Sequence, residues 1–419
     1  MEPIGDVANP AALDPDNLGF MCGIEVHQQL ATGKLHSRQP GQLHDVTIES
    51  LPKDWSKYKR KLRSSSGEAG EVDIAARFEE RRNRSFVYCQ APNSGLIELD
   101  EQPPLPHDGD ALDISLTVSG MLNAHPVPLL QTMRKTVVDG SNTSGFQRTT
   151  LIATDGILET KDGPVGIDVL CLEEDSARKL SSELTLDGEV VTWNLDRLGI
   201  PLIEIATAPD VKSPEHAKQT SIALGRTLRD TRKVRRGLGS IRQDLNVSIK
   251  CGDRVEIKGC QDLEWIPKIV RCEMARQLHF YRLANKLRDK NNFPKLPSDR
   301  AIESISIKDE VSELLRLDLT DVSAAFGKCD SKRITEGLES GSVMLALPLP
   351  GFNGFIGKKE FDVDNSQLPR LGRELAGAAK LAGVAGVYHS DELPAYGINQ
   401  YCVDSVRKLL SNTDAFVLC

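Results

Sequence analysis

The sequence lacks paired cysteines, long apolar runs and any signal-peptide pattern. Nine cysteines stand singly among 419 residues, and the absence of a CxxC pair excludes a zinc knuckle. Their odd number does not suit a disulfide framework, so we expect a reducing, cytoplasmic location. No apolar run approaches the ~18 residues of a membrane span, so we expect no membrane association. Residues 1–20 are acidic and rich in Pro and Asp, and we predict a disordered tail there.

The charge distribution excludes a protein that coats nucleic acid indiscriminately, because the net charge is −8. One local exception is residues 225–249, where seven basic residues face only two acids. Two interpretations remain open, a solvated helix face or a contact with polyphosphate or an RNA backbone. No P-loop or kinase glycine motif is present, so bound ATP would need a metal ion and Arg or Lys groups. The candidate ATP-binding residues are Arg232, Arg235 and Arg242.

The pattern of apolar residues predicts an α+β fold, and the length predicts more than one domain. Predicted strands are 21–30, 83–90, 94–99, 149–154, 165–173, 188–194, 201–207, 243–250, 253–258, 302–307, 342–347, 384–388 and 414–418. Predicted helices are 109–124, 213–235, 264–288, 308–316 and 366–382, and the charged segment 51–82 is a helix or an exposed excursion. The polar stretch 288–300 holds two prolines and is typical of a domain boundary. Because the chain ends within an apolar, strand-like run, we expect it to be truncated at the C-terminus.

Acidic residues in three strand-like stretches suggest a metal site. In "GIEVHQQL" (23–30), Glu25 and His27 share one side of a strand because side chains alternate with a period of two. Glu174 ends an apolar strand, and Glu204 interrupts "IPLIEIA". An edge strand with a solvated polar face, or pairing of Glu204 with an Arg, would also explain these residues. If the four side chains converge, their hard oxygen ligands and one imidazole suit Mg²⁺.

Several longer motifs resemble the B/E family of amidotransferase subunits, the tRNA-dependent transamidases. They follow in the family's order: "GIEVHQQLATGKL" (23–35), "SGLIELDEQPP" (94–104), "RKTVVDGSNTSGFQRT" (134–149), "LEEDSARKL" (172–180), "LDRLGIPLIEIATAPD" (195–210) and "GLGSIRQDLNVSI" (237–249). Two later stretches, 343–357 and 370–398, resemble the insertion domain of bacterial-type aspartyl-tRNA synthetases. The archaeal E branch of the family carries that domain and the B branch lacks it.

The resemblance implies a cradle-like mixed β-sheet catalytic domain at 21–290. It is followed by a smaller α+β aspartyl-tRNA-synthetase-type insertion domain at 296–419, which we expect to be incomplete at the C-terminus. Carried over by motif position, Glu25, His27, Glu174 and Glu204 would be catalytic and would hold Mg²⁺ and the γ-phosphate of ATP. The implied reaction phosphorylates the glutamate of Glu-tRNA(Gln), and ammonia then displaces phosphate to give Gln-tRNA(Gln).

The resemblance also implies an ammonia-supplying partner, the asparaginase-like D subunit of the amidotransferase, in a heterotetramer with two copies of each chain. We expect no zinc, because the paired cysteines that many relatives carry after the first motif are replaced by "KLHSRQPGQL" (34–43). An alternative is a non-catalytic tRNA-binding module or a degenerate fragment of such a catalytic chain. Four metal-type side chains in unlike strands favour the enzyme, since a binding module has no need of them.

Overall fold

The structure of the protein is a computed structural model that describes residues 2–61, 84–185, 188–300, 319–381 and 384–419. In chain order the strands are β1 (Met21–Gln29), β2 (Lys57–Lys61), β3 (Ser85–Cys89), β4 (His125–Pro126), β5 (Thr132–Thr136), β6 (Phe146–Thr160), β7 (Gly163–Glu174), β8 (Arg178–Thr185), β9 (Gly188–Asn194), β10 (Pro201–Thr207), β11 (Ile241–Ser248), β12 (Val255–Ile257), β13 (Thr320–Asp321), β14 (Leu345–Pro348), β15 (Tyr388–His389) and β16 (Phe416–Leu418). The α-helices are α1 (Pro15–Leu18), α2 (Gly109–Met121), α3 (Pro214–Asp230), α4 (Ile266–Lys290), α5 (Lys332–Glu339), α6 (Leu371–Leu381) and α7 (Gln400–Leu409). The mixture of helices with several separate sheets confirms an α+β fold.

The largest sheet in the described residues has the strand order β12-β11-β1-β10-β7-β6-β4, and β5 pairs with β6. Its central strand β10 is buried along nearly its whole length, which explains the continuous apolar sequence around Glu204. Helix α2 contacts β6 and β7, and α3 contacts β1 and β6. Ser213 caps α3 by accepting a hydrogen bond from the backbone N–H of His216 at 3.1 Å, as the Ser-Pro-Glu start of this helix suggests. The sheet thus gives the candidate site a rigid floor.

A second sheet has the order β2-β3-β9-β8, with β3 and β9 parallel. Its core contains Phe86, Tyr88, Val191 and Trp193. Strand β2 falls inside the segment predicted as a helix or an exposed excursion, and it pairs with β3 from Lys57 to Lys61. The charged, exposed sequence of β2 has little strand propensity, so its backbone pairing with β3 is what makes it a strand. Residues 62–82 of that predicted segment lie outside the described residues.

The chain divides into two compact units. One comprises Met21–Val247 and Val255–Pro267, and the other comprises Met1–Phe20, Ser248–Arg254 and Lys268–Cys419. The second of these contains a small sheet of order β13-β14-β16-β15. Its core is built from buried residues of this sheet, of α5 and α7, and of the 3-10 turn Ser323–Phe326 with the residue before it: Val322, Phe326, Ile334, Ala346, Val403, Val406 and Phe416. The cradle-like and insertion-domain limits, 21–290 and 296–419, stay predictions.

The first twenty residues differ from the predicted disordered tail. A 3-10 turn at Pro10–Ala12 precedes α1, and the Asp14 side chain accepts from the first backbone N–H groups of α1. Leu13 and Leu18 are buried. The Arg282 guanidinium donates to the carbonyls of Gly5 and Pro3 at 2.8 and 2.9 Å. The segment is therefore ordered although its composition indicates disorder. The contacts that order it are two buried leucines, a helix cap and the hydrogen bonds from Arg282.

Other differences concern short or exposed elements. Residues 94–99 form turns instead of the predicted strand, because Glu98 accepts a hydrogen bond from the Gly95 N–H at 2.7 Å and closes the loop. Strands β5 and β8 are not among the predicted strands, since they are largely exposed and polar. The predicted strand 302–307 and helix 308–316 lie outside the described residues. Within the described ranges, no helix combines the length and apolar character needed to cross a bilayer.

Candidate active site

Three neighbouring strands of the large sheet place four polar side chains on one face. In the antiparallel register His27 of β1 stands opposite Glu204 of β10, and Leu202 of β10 stands opposite Glu173 of β7. Residues opposite each other share a face, and so do residues two apart on one strand. Glu25, His27, Glu173 and Glu204 therefore lie together, and we call them the acid cluster.

The imidazole of His27 joins two carboxylates of the acid cluster. Its Nε2 lies 2.9 Å from Glu25 Oε1, and its Nδ1 lies 3.1 Å from Glu173 Oε1. Glu173 is almost completely buried and also accepts from the Thr149 hydroxyl at 3.2 Å. His27 is consequently held in one ring orientation by an acceptor on each side.

Burial and mutual repulsion shift the proton affinities of the acid cluster. Burial, together with the neighbouring Glu173 carboxylate, raises the pKa of Glu204 to about 7. Burial alone would lower the pKa of His27, but hydrogen bonds to Glu173 and Glu25 outweigh it and raise that pKa to about 9. The hydrogen bond from His27 lowers the pKa of Glu25. Three carboxylates held this closely concentrate negative charge that a bound cation would relieve.

The donor set suits a hard divalent cation. Ligand atoms of Glu25, His27 and Glu204 all lie within 4.8 Å of one another, and two carboxylates with one imidazole match a Mg²⁺ site that keeps open positions. With Nε2 turned toward this group, Nδ1 faces Glu173, which is the usual orienting acceptor behind a ligating histidine. A second group, Glu25, Asp244 and Glu256, meets the same distance limit. These residues fit the metal that the resemblance implies.

Glu174 is not part of the acid cluster, contrary to the predicted convergence of Glu25, His27, Glu174 and Glu204. It stands opposite Pro201 in the register, one residue beyond Glu173, so its side chain leaves the other face of the sheet. There its Oε1 accepts from the Arg148 guanidinium at 3.0 Å and from the Arg148 N–H at 3.2 Å. Its burial raises its pKa, against the opposing effect of Arg148. The residue beside His27 is therefore Glu173 and not the predicted Glu174.

A cleft of about 300 Å³ opens next to the acid cluster, and His27, Glu173, Arg242 and Lys258 are among its lining residues. The Arg242 guanidinium donates to Asp175 Oδ1 at 2.9 Å, yet the side chain stays one-third exposed. Buried Asp175 also accepts from the Gln29 amide at 2.7 Å. The Arg242 guanidinium is thereby held at the edge of a cleft whose floor is acidic. This arrangement suits a metal-bound polyphosphate.

Residues 20–318 match the family model of the GatB/GatE catalytic domain. The chain belongs to this family. It is 45% identical over 406 residues to the E subunit of the glutamyl-tRNA(Gln) amidotransferase of Pyrococcus furiosus, an alignment that covers 96% of this chain and 59% of that relative. The E subunits of Methanosarcina acetivorans and Methanocaldococcus jannaschii are 42% and 43% identical over 408 and 410 residues, or 97% and 96% of this chain. The chain spans 59% of the length of each of these relatives. The resemblance to the B/E family is confirmed.

The three arginines predicted to bind ATP have different surroundings in this family member. Arg242 lines the cleft. Arg235 points into the protein, where its Nε donates to the Leu30 carbonyl at 2.9 Å and its Nη2 to the Gly41 carbonyl. Arg232 is exposed just after α3, at a backbone φ of 59°. The structure therefore places only Arg242 of these three at the cleft.

Glu173 and Lys135 are the residues that the sequence did not reveal. The ammonium of Lys135 lies 3.3 Å from Glu204 Oε2 and 3.8 Å from Glu173 Oε2. Glu173 stands beside Glu174 in "LEED", and only the register with β10 decides which of them faces His27. Lys135 lies within the family-like stretch 134–149, but its strand is exposed and carries no apolar signal.

Proposed function

We propose that this chain is the catalytic part of a cytoplasmic tRNA-dependent amidotransferase that converts Glu-tRNA(Gln) to Gln-tRNA(Gln). The proposal is supported by the acid cluster beside an arginine-edged cleft, in a member of the GatB/GatE family. This chain spans 59% of the relatives' length, and the proposal assigns to it the activity of a whole protein. The partner would be an asparaginase-like D subunit that releases ammonia, in a heterotetramer of two copies each.

The proposed reaction has two balanced steps. First, a side-chain carboxylate oxygen of the tRNA-bound glutamate attacks the γ-phosphorus of ATP, and ADP leaves with the electrons of the broken P–O bond. Second, ammonia attacks the carbonyl carbon of the acyl phosphate, inorganic phosphate leaves, and the nitrogen loses a proton to form the amide. Neither step needs a covalent bond to the protein, which agrees with a site built from carboxylates, an imidazole and cations.

The side chains divide the work by position. Glu25, Glu204 and the Nε2 of His27 would hold Mg²⁺, and Glu173 would keep His27 in the ligating orientation. Bound Mg²⁺ would neutralise phosphate charge during transfer. Arg242, fixed by Asp175, would orient the phosphates at the edge of the cleft. Glu174 would act through folding, by pairing with Arg148.

The single observation that carries the proposal is the convergence of Glu25, His27 and Glu204, and the experiment removes one of them. Purified chain, Glu204→Gln and the control Glu159→Gln are incubated with Glu-tRNA(Gln), ATP and ammonium, with and without Mg²⁺. Glu159 is an exposed residue of β6, in the same sheet. We expect Mg²⁺-dependent formation of Gln-tRNA(Gln) and ADP by the wild type and the control, with at least a ~100-fold loss in Glu204→Gln.

Conversion by Glu204→Gln at the wild-type rate would refute the proposed site. Binding of tRNA by every variant without any conversion, even when the chain is extended to the length of its relatives, would favour the non-catalytic tRNA-binding module.

A further inference from the structure

Lys135 approaches the acid cluster from a neighbouring strand that is exposed along its length. Strand β5 pairs only with β6 among the described residues, and all five of its residues are exposed. In the β5–β6 register Lys135 stands opposite Gln147 and Met133 opposite Thr149. Thr149 stands in turn opposite Glu173, so Lys135 projects from the face that carries the acid cluster.

The Lys135 ammonium faces two acids that also face the candidate cation site. It lies 3.3 Å from Glu204 Oε2 and 3.8 Å from Glu173 Oε2. Glu204 is at the same time one of the three residues whose ligand atoms lie within 4.8 Å of one another. A divalent cation bound to Glu204 would therefore sit within a few ångströms of the ammonium, and the two positive charges would repel each other.

The environment of Lys135 allows it to move. Its side chain is 52% exposed, whereas the Arg148 side chain, paired with Glu174 on the other face, is only 11% exposed. A lysine ammonium is a compact charge on a flexible stem, and half of this side chain reaches solvent although Glu173 and Glu204 are buried. The adjacent cleft, with Arg242 at its edge, gives the displaced ammonium a second negative partner once a polyphosphate is bound.

We propose that Lys135 is a built-in counter-ion that competes with the divalent cation for Glu204 and, once displaced, contacts the phosphates of the nucleotide. The bare cation would then bind weakly, and cation and nucleotide would bind more tightly together than separately. The identity of the phosphate ligand rests on the proposed function as a whole, whereas the competition for Glu204 rests only on its cation site and on the contacts of Lys135.

The test measures binding of Mn²⁺, as a spectroscopic substitute for Mg²⁺, from the electron paramagnetic resonance signal of the free ion. Wild type, Lys135→Met, Lys135→Arg and the control Lys161→Met are titrated without nucleotide. Lys161 lies in the turn between β6 and β7, at the opposite end of that hairpin from Thr149 and Glu173, and its replacement removes the same charge. We expect Mn²⁺ to bind Lys135→Met about three- to tenfold more tightly than wild type. Lys161→Met and Lys135→Arg should stay within about twofold of wild type.

A second titration measures ATP binding at saturating Mn²⁺, and we expect Lys135→Met to bind ATP about tenfold more weakly than wild type. Unchanged ATP affinity would overturn the phosphate contact. Equal or weaker Mn²⁺ binding by Lys135→Met would overturn the competition while leaving the proposed function intact. Absence of Mn²⁺ binding in the wild type and in Lys135→Met alike would overturn the cation site of the proposed function and this inference with it.

Discussion

Two adjacent glutamates of β7 show how differently the two faces of one sheet use the same side chain. Glu173 lies among carboxylates and an imidazole at the floor of a cleft. Glu174 lies on the opposite face, buried against the Arg148 guanidinium, beside a cavity of about 10 Å³ that His36 also lines. One face gathers three carboxylates around an imidazole and a half-exposed lysine at the edge of a cleft, and the other pairs a single carboxylate with a buried guanidinium. Clustered carboxylates with shifted pKa values are expected where chemistry occurs, and a buried ion pair is expected where breaking it would cost stability.

The largest predicted difference is between Glu173→Gln and Glu174→Gln in the proposed ATP-dependent reaction. Glu173→Gln should lower kcat about 100-fold, because the histidine of the cation site loses its charged orienting acceptor. Glu174→Gln should change kcat less than about threefold but lower the free energy of unfolding by about 2 kcal/mol, because the buried guanidinium of Arg148 loses its counter-charge. Steady-state kinetics and urea unfolding of both variants measure the two effects.

Rescue of Glu174→Gln by Arg148→Met is the matched control, since the double variant removes both buried charges. The double variant should regain more than half of the lost stability. A loss of activity in Glu174→Gln as large as that in Glu173→Gln would break the distinction between the two faces.

Much of this arrangement could be predicted from the sequence. The sequence could not predict which face of the sheet Glu173 and Glu174 of β7 each occupy. Strand β1 alternates apolar and polar residues, so its sequence alone assigns Glu25 and His27 to one face. Strand β10 is buried on both faces, and the last residues of β7 are buried on both faces as well. Their sequences therefore carry no alternation that tells inside from outside. The register between the two strands is a long-range property, and a one-residue change in it exchanges Glu173 for Glu174.

Long-range contacts also decide the roles of the arginines in the basic segment 225–249, and the sequence does not show such contacts. Spacing along 225–249 identified a cluster of cations, but it could not tell a guanidinium that faces the cleft from one that donates to backbone carbonyls. Arg235 makes the second kind of contact because the chain near Leu30 and Gly41 passes beside it. Those contacts join positions about 200 residues apart in the sequence.

A smaller effect is predicted for the pH dependence of stability on the Glu174 face. Burial lowers the pKa of His36 from its usual 6.5 to about 4, partly offset by its hydrogen bond to the Leu105 carbonyl. Between these two pH values the unfolded chain binds more protons than the folded chain, so this histidine's contribution is complete above pH 6.5 and is lost as the pH falls toward 4. In His36→Asn the change in unfolding free energy between pH 4 and 6.5 should shrink by roughly 2–3 kcal/mol.

Urea unfolding at a series of pH values measures the slope of the unfolding free energy against pH. The control is His125→Asn, which replaces an exposed histidine of β4. The comparison uses slopes because His36→Asn also loses packing, which lowers stability at every pH. His107, whose ring centroid lies 5.0 Å from that of His36, also has a pKa lowered by burial. Its contribution should persist in the variant. A slope identical to that of wild type would show that the His36 side of the sheet carries no such proton linkage.

The smallest effect concerns two arginines that the sequence could not distinguish. Arg242→Met should weaken ATP binding three- to tenfold with little change in stability, because the side chain lines the cleft and is partly exposed. Arg235→Met should leave ATP binding within about twofold but lower the free energy of unfolding by about 1–2 kcal/mol, because two backbone carbonyls lose their donor. Calorimetric ATP titration and urea unfolding of both variants give a two-by-two comparison. If Arg235→Met weakened ATP binding as much as Arg242→Met, the basic segment would act as one electrostatic surface, and the assignment of the cleft edge to a single guanidinium would fail.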